Sequence, residues 1–241
     1  MSESMNDLCM RARPRLKEIL MDRSMARSVF YNTLSLCYVF PDEEVGPWLT
    51  EGKWVDGLEG TLKLLAEESL EAPLFPINDI LQGAGEEFSL ELRREYTRLF
   101  INGFPHVVAP PCGSIYLEKG RSTTPEVLKF YHHAGFALKE NLKDLPDHIA
   151  HEFEFMGILA NQESQATGGE KIGLEEMQMN FFSRFIQPWV PSFCERIEQQ
   201  SRIPFYRNLA ILTQKFIDFE KNYLGIPEEL TPGKEIVSER R

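Results

Sequence analysis

The densest group of ionisable side chains lies in residues 147–154, DHIAHEFE, which contain two histidines and three carboxylates. In zinc hydrolases of the HExxH type, two histidines stand four residues apart on one helix and a glutamate follows the first. Here His148 and His151 are three residues apart and Glu152 follows the second, so that order is absent. His148 and Glu152 do share a helix face at i and i+4. A metal-dependent hydrolase using His148, His151 and Glu152 therefore stays open as an alternative, without being the favoured interpretation.

The motifs of other common catalytic sites do not occur in the sequence. There is no Gly-Lys-Ser/Thr phosphate-binding loop and no Gly-x-Ser-x-Gly nucleophile elbow. The four cysteines, Cys9, Cys37, Cys112 and Cys194, form no Cys-x-x-Cys pair, which argues against a zinc ribbon or a thioredoxin-type site. We therefore predict that the chain is not an enzyme and has no metal site.

The elements that must position these residues are helices. Apolar residues in 205–223 recur at steps of four and three, which predicts an amphipathic helix that Gly225 and Pro227 end. Similar spacing predicts a helix over 24–40, and Thr124-Pro-Glu opens another that runs to His133. Asp147 is predicted to cap a helix that ends near Thr167. No strand pattern is convincing.

The predicted fold is all-α, a single-domain globular bundle of roughly eight to twelve helices. Residues 1–225 are predicted to form the helical domain, and residues 226–241 a polar C-terminal tail.

The chain of 241 residues carries a formal net charge of −11. Residues 42–98 hold 14 acidic and 5 basic side chains, either a solvated face or a docking surface for a basic peptide. The acid excess argues against nucleic-acid binding, which needs a basic surface. No apolar run is long enough to span a membrane, and the N-terminus does not resemble a secretory signal, so we predict a cytoplasmic protein.

Four segments in order resemble the TorD/DmsD/NarJ family of redox-enzyme maturation chaperones. Residues 95–100, EYTRLF, are similar to its E-Y-x-x-L-F motif, and residues 110–116, PPCGSIY, to its P-P-Y-x-S-x-Y motif. Residues 146–156, PDHIAHEFEFM, are similar to P-D-H-x-x-x-E-L-E-F-M, and residues 185–191, FIQPWVP, to H-L-x-P-W-x-P. Cys112 replaces the usual Tyr and Phe185 the frequent His, which bears on subgroup and partner specificity.

The resemblance implies a cytoplasmic chaperone that binds the twin-arginine signal peptide and the apo form of a molybdoenzyme catalytic subunit until the molybdenum cofactor is inserted. It implies that Pro146, Asp147 and His148 line the peptide site at a loop-to-helix corner. Glu152 would lie one turn below His148 and pair with it or with an arginine of the ligand. The remaining predicted peptide-binding residues lie at the end of the Pro-rich loop: Pro111, Ser114 and Tyr116.

The resemblance also bears on cofactors and assembly. The chain itself would carry no cofactor beyond weak guanine-nucleotide binding, whereas the client would carry molybdopterin guanine dinucleotide. The family permits a monomer or a domain-swapped dimer and has no stable membrane insertion. A helical adaptor without a role in cofactor insertion is a further alternative.

Overall fold

Residues 23–117, 124–138 and 144–227 are described by the structure, a computed structural model. This part of the chain contains ten α-helices: residues 23–37 (α1), Val45–Glu51 (α2), Lys53–Leu65 (α3), Glu71–Gln82 (α4), Glu86–Tyr96 (α5), Thr124–His133 (α6), Ile149–Gln165 (α7), Gly169–Phe181 (α8), Val190–Gln200 (α9) and Pro204–Tyr223 (α10). Short 3₁₀ turns lie at Glu68–Leu70 and Gly113–Ile115, and π-helical turns at Thr97–Ile101 and Phe182–Ile186 continue α5 and α8. The only β pairing in these residues is a single bridge between Cys112 and His148. The all-α prediction is confirmed.

The helix α10 follows directly from its sequence. Pro204 stands at the first helical position, where its missing N–H costs nothing, and Gly225 adopts a left-handed φ of 66° just beyond the end. The predicted apolar stripe is buried at Phe205, Leu209 and Phe216, where α10 packs against α4 and α9. No helix in the described residues, α10 included, has the length and apolar character needed to cross a membrane.

The first residue of the predicted C-terminal tail packs against the helical domain. Ile226 is only 6% exposed and packs in the hydrophobic core, so the packed region extends past residue 225. The remainder of the predicted tail, residues 228–241, lies outside the described residues.

A buried ionic network joins four helices around Arg27 of α1. The Arg27 guanidinium donates from Nε and Nη2 to both carboxylate oxygens of Glu220 in α10, at 2.6 and 2.8 Å. It also donates to Glu163 of α7 at 2.8 Å and to Gln178 of α8 at 2.7 Å. Its face lies 4.0 Å from the ring centroid of Tyr223. Arg27, Glu163 and Glu220 are at most 1% exposed, so the arrangement of these helices depends on charges that water does not reach.

The pKa of Glu163 reflects this pairing. Burial alone would raise the pKa of its carboxyl, but the charge of Arg27 and hydrogen bonds from Ser24 and Gln178 outweigh burial and hold the pKa below its ordinary value. Glu163 is therefore ionised at neutral pH, as its ion pair with Arg27 requires.

Candidate functional site

Two segments far apart in sequence meet in front of α7. Ile149 donates its backbone N–H to the carbonyl oxygen of Pro111 at 2.9 Å, and Gly113 donates to that of Asp147 at 3.0 Å. These bonds flank the bridge between Cys112 and His148. We call residues 110–117 and 144–148 together the corner. The Pro-rich segment and the Pro-Asp-His segment, identified separately in the sequence, therefore form one structural unit.

Asp147 holds this corner from inside. Its carboxylate accepts a hydrogen bond from the backbone N–H of Ser114 at 2.8 Å and another from the hydroxyl of Thr124 at 2.9 Å. The residue is 2% exposed. Asp147 thus connects the Pro-rich segment, the start of α6 and the start of α7. The prediction that Asp147 caps α7 is wrong, because its carboxylate turns to these two donors instead.

His148 is the residue that caps α7. Its backbone is extended, and its Nδ1 accepts a hydrogen bond from the backbone N–H of Ala150 at 3.2 Å. The residue is 4% exposed. Burial, aided by the nearby charge of His151, lowers the pKa of its imidazole to about 4, although the Asp144 and Asp147 carboxylates oppose this change. His148 is therefore neutral at physiological pH, as an acceptor at a helix N-terminus has to be.

We expect this imidazole to make the folded state sensitive to mild acid. The unfolded chain binds a proton at His148 near pH 6.5, whereas the folded chain resists protonation down to about pH 4, so stability falls across that window. His148→Asn keeps a capping acceptor but does not titrate. The stability of the natural chain relative to His148→Asn should fall by on the order of 3 kcal/mol between pH 7 and pH 4.

Urea unfolding of both chains at several pH values measures this difference. Other titrating groups, including Glu152 with its opposite pH dependence, are shared by both chains and cancel in the comparison. A stability difference that stays constant with pH would contradict a buried neutral His148.

Glu152 faces the interior of the protein. One of its carboxyl oxygens accepts a hydrogen bond from the indole N–H of Trp189 at 3.2 Å, and the residue is 1% exposed. Burial, together with the charge of Asp147, raises the pKa of Glu152 well above its ordinary value. This environment favours the protonated form of the carboxyl, and Trp189 is its hydrogen-bond partner.

Trp189 connects the fourth motif to the corner. Its ring centroid lies 5.3 Å from that of Tyr116 and its N–H also donates to the carbonyl oxygen of Phe185. Gly113 packs directly on the indole, since a Cβ there would lie 2.9 Å from Nε1. Arg196 lies 4.6 Å above the Tyr116 ring. Glycine at position 113 is thus explained by close approach to Trp189.

The predicted peptide-binding residues divide into two groups by exposure. Pro111, Asp147, His148 and Glu152 are buried. Ser114, Tyr116 and Pro146 are partly exposed and form the accessible part of the corner. The sequence-based prediction missed Thr124, which binds Asp147, and Tyr131, whose hydroxyl donates to the carbonyl oxygen of Pro146 at 3.1 Å. The Thr-Pro-Glu sequence indicates the start of a helix, but it does not indicate that the Thr124 hydroxyl binds Asp147, 23 positions away.

The first motif is structural in this chain. Glu95 accepts two hydrogen bonds from Arg98, at 2.7 and 2.6 Å, and a third from the backbone N–H of Arg202 at 2.7 Å. These bonds attach the end of α5 to the turn before α10.

The geometry gives no support to a metal-dependent hydrolase. Nδ1 of His148 already accepts a hydrogen bond from α7, and Glu152 turns toward Trp189. Among the residues that the structure describes, no group of three His, Cys, Asp or Glu side chains could hold a metal ion.

The sequence and the fold of the chain are similar to those of known proteins. The family model of the nitrate reductase delta subunit matches residues 65–195, which include the corner and Trp189. The chaperone protein TorD of Vibrio cholerae is 26% identical over 143 residues, 58% of this chain and 64% of that protein. The perchlorate reductase assembly chaperone protein of Dechloromonas aromatica is 23% identical over 214 residues, 82% of this chain and 89% of that protein.

A solved structure shows the same fold. It is a protein of Archaeoglobus fulgidus described as a redox enzyme maturation protein, with a TM-score of 0.51 and 24% identity, and the match covers 80% of this chain and 93% of that one. The family match spans more than half of the sequence and includes the Pro-rich and Pro-Asp-His motifs of the corner. The chain therefore belongs to the nitrate reductase delta subunit family, the TorD/NarJ family that its four motifs resemble.

Proposed function

We propose that this chain is a cytoplasmic, non-enzymatic maturation chaperone that binds the twin-arginine signal peptide and the apo form of a molybdoenzyme catalytic subunit. It would hold the client until the molybdenum cofactor has been inserted. The observation that carries the proposal is the corner, where three of the four family motifs meet through the Pro111–Ile149 hydrogen bond and the Tyr116–Trp189 contact. The names of the relatives, a chaperone protein TorD and two assembly chaperone proteins of perchlorate and chlorate reductase, support the same role.

Exposure suggests how the corner would contact a peptide. Ser114, Tyr116 and Pro146 are accessible to a ligand, whereas the buried residues fix the backbone from beneath. Tyr116 offers an aromatic edge to the apolar part of a signal peptide, and the net charge of −11 favours approach of its basic part.

Ser114→Lys tests this contact with little change to the fold. The backbone N–H that binds Asp147 is retained, and the new ammonium group stands on the accessible side of the corner. We expect affinity for a synthetic peptide with two adjacent arginines and a leucine-rich segment to fall about tenfold in a calorimetric titration, because like charges repel across an interface.

Gln162→Lys is the matched control. It adds the same charge on an exposed position of α7, about 21 Å along the helix from His148, and should leave affinity unchanged. Equal affinity of the Ser114→Lys and natural chains would exclude the corner as the contact surface. If the natural chain does not bind the peptide, the signal-binding proposal itself is wrong.

A further inference from the structure

A small cavity lies beside the corner, between α7 and the end of α6 with the residues that follow it. Its volume is about 200 Å³. We call it the α6–α7 cavity, and it is lined by Tyr131, Phe136, Ala137, Leu138, His151, Glu154, Phe155 and Ile158. It is smaller than the roughly 300–1,000 Å³ of most small-molecule sites, and therefore suits a single side chain better than a cofactor.

The cavity and the corner share structural elements. Tyr131, in the cavity wall, donates its hydroxyl hydrogen to the carbonyl oxygen of Pro146 at 3.1 Å. The imidazole centroids of His148 and His151 are 5.7 Å apart. A peptide that lies across the corner therefore passes close to the cavity.

The cavity combines aromatic walls with two polar groups. Phe136 packs edge-on against Phe155 at 5.5 Å between ring centroids, and Tyr131 lies 4.8 Å from Phe155. Nε2 of His151 is buried and has no hydrogen-bond partner among the described residues. Glu154, three residues further along α7 on the same face, is exposed. A buried polar atom without a partner is costly, and a ligand that supplies a hydrogen-bond donor would remove that cost.

Glu154 differs from Asp147 and Glu152, the carboxylates that the sequence suggested, because a ligand can reach its charge. Both oxygens of Asp147 already accept hydrogen bonds inside the corner, and Glu152 is buried against Trp189. Neither can receive a cation from a bound peptide without rearrangement. Glu154 and Asp144 are exposed, and the negative charges of both act on His151.

We propose that the α6–α7 cavity receives one arginine side chain of the signal peptide, with the guanidinium bound by Glu154 and by Nε2 of His151 between the aromatic rings. A guanidinium has five N–H donors in one plane, enough for a carboxylate and an imidazole nitrogen at once. Its flat face stacks on aromatic rings, and its methylene stem suits apolar walls. This inference rests on the proposed function and specifies how the chain would recognise an arginine of the signal peptide.

A double-mutant cycle tests the assignment by calorimetric titration of the full chain. One peptide carries two adjacent arginines before a leucine-rich segment, and two others replace one arginine each with norleucine. Glu154→Gln should weaken binding of the two-arginine peptide about tenfold, as expected for loss of a close charge pair. Toward the peptide that lacks the recognised arginine, Glu154→Gln should cause no further loss.

Glu170→Gln is the charge-matched control, because Glu170 is exposed at the start of α8 beyond the far end of α7, and it should not affect affinity. Ala137→Trp, at an exposed position of the cavity lining, should block entry and weaken binding similarly.

The outcomes separate the two proposals. If the two-arginine peptide binds the natural and Glu154→Gln chains equally, or if the losses from Glu154→Gln and from both norleucine substitutions simply add, the cavity does not read an arginine although the chain still binds the peptide. Failure of the natural chain to bind at all would overturn both the signal-binding proposal and this inference.

Discussion

Replacing Arg27 with methionine is expected to lower the free energy of unfolding by about 3–5 kcal/mol, because it leaves two carboxylates buried without their shared cation. Glu163 and Glu220 both bind the guanidinium at 2.6–2.8 Å and have no exposed side-chain surface. Methionine fills a similar volume. The loss of unfolding free energy therefore comes mainly from the unpaired carboxylates and less from a cavity. Urea unfolding at pH 7 gives the value.

At acidic pH, the difference in free energy of unfolding between the natural and Arg27→Met chains should become smaller. The lowered pKa of Glu163 means that its stabilising contribution is complete above its unfolded value near 4.5 and is lost as the pH falls through the lower folded value. Lys53→Met, which removes an exposed ion pair with Glu51, is the control and should change stability little. A loss as small as that control would show that the buried network does not stabilise the fold.

Trp189→Ala is expected to cost a comparable amount, about 3–5 kcal/mol, since it removes the largest fully buried side chain of the described residues and leaves a cavity. The indole packs against Tyr116 and Phe193, and its N–H is a hydrogen-bond donor to Glu152. Thermal or urea unfolding would measure the loss.

Two further variants separate packing from hydrogen bonding at Trp189. Trp189→Phe keeps an aromatic ring but removes the donor, so we expect a smaller loss of about 1–3 kcal/mol. Trp48→Ala removes a half-buried tryptophan that stacks on Trp54 at 6.0 Å, and should cost less than Trp189→Ala. Equal losses at Trp48 and Trp189 would contradict a special role for the fourth motif.

Helical periodicity was enough to predict the elements that pack by one apolar face. The bounds of α6 and α10 agree with the sequence to within a residue, because proline starts and glycine stops act locally. The π-helical turns after α5 and α8 were not predicted. In a π-helical turn the backbone N–H bonds to the carbonyl oxygen five residues earlier, and this change leaves no signal in the apolar periodicity.

The motifs indicate which segments form the corner, but they do not indicate the directions of its side chains. An aspartate before a helix is a good cap in isolation, yet Asp147 is bound by donors from segments 33 and 23 residues earlier. The sequence likewise does not indicate the role of Arg27, since its partners lie 136, 151 and 193 residues away. Pairing over such distances depends on the tertiary fold, which local sequence patterns do not encode.

The contact between Arg27 and Glu220 has a consequence for the order in which the chain folds on the ribosome. The two residues are 193 positions apart, so at about 5–20 residues per second Glu220 is synthesised some 10–40 s after Arg27. Throughout that interval α1 carries an arginine whose bidentate partner does not yet exist. Nascent chains that lack α10 cannot close this network, and the core is completed only when translation has passed α10.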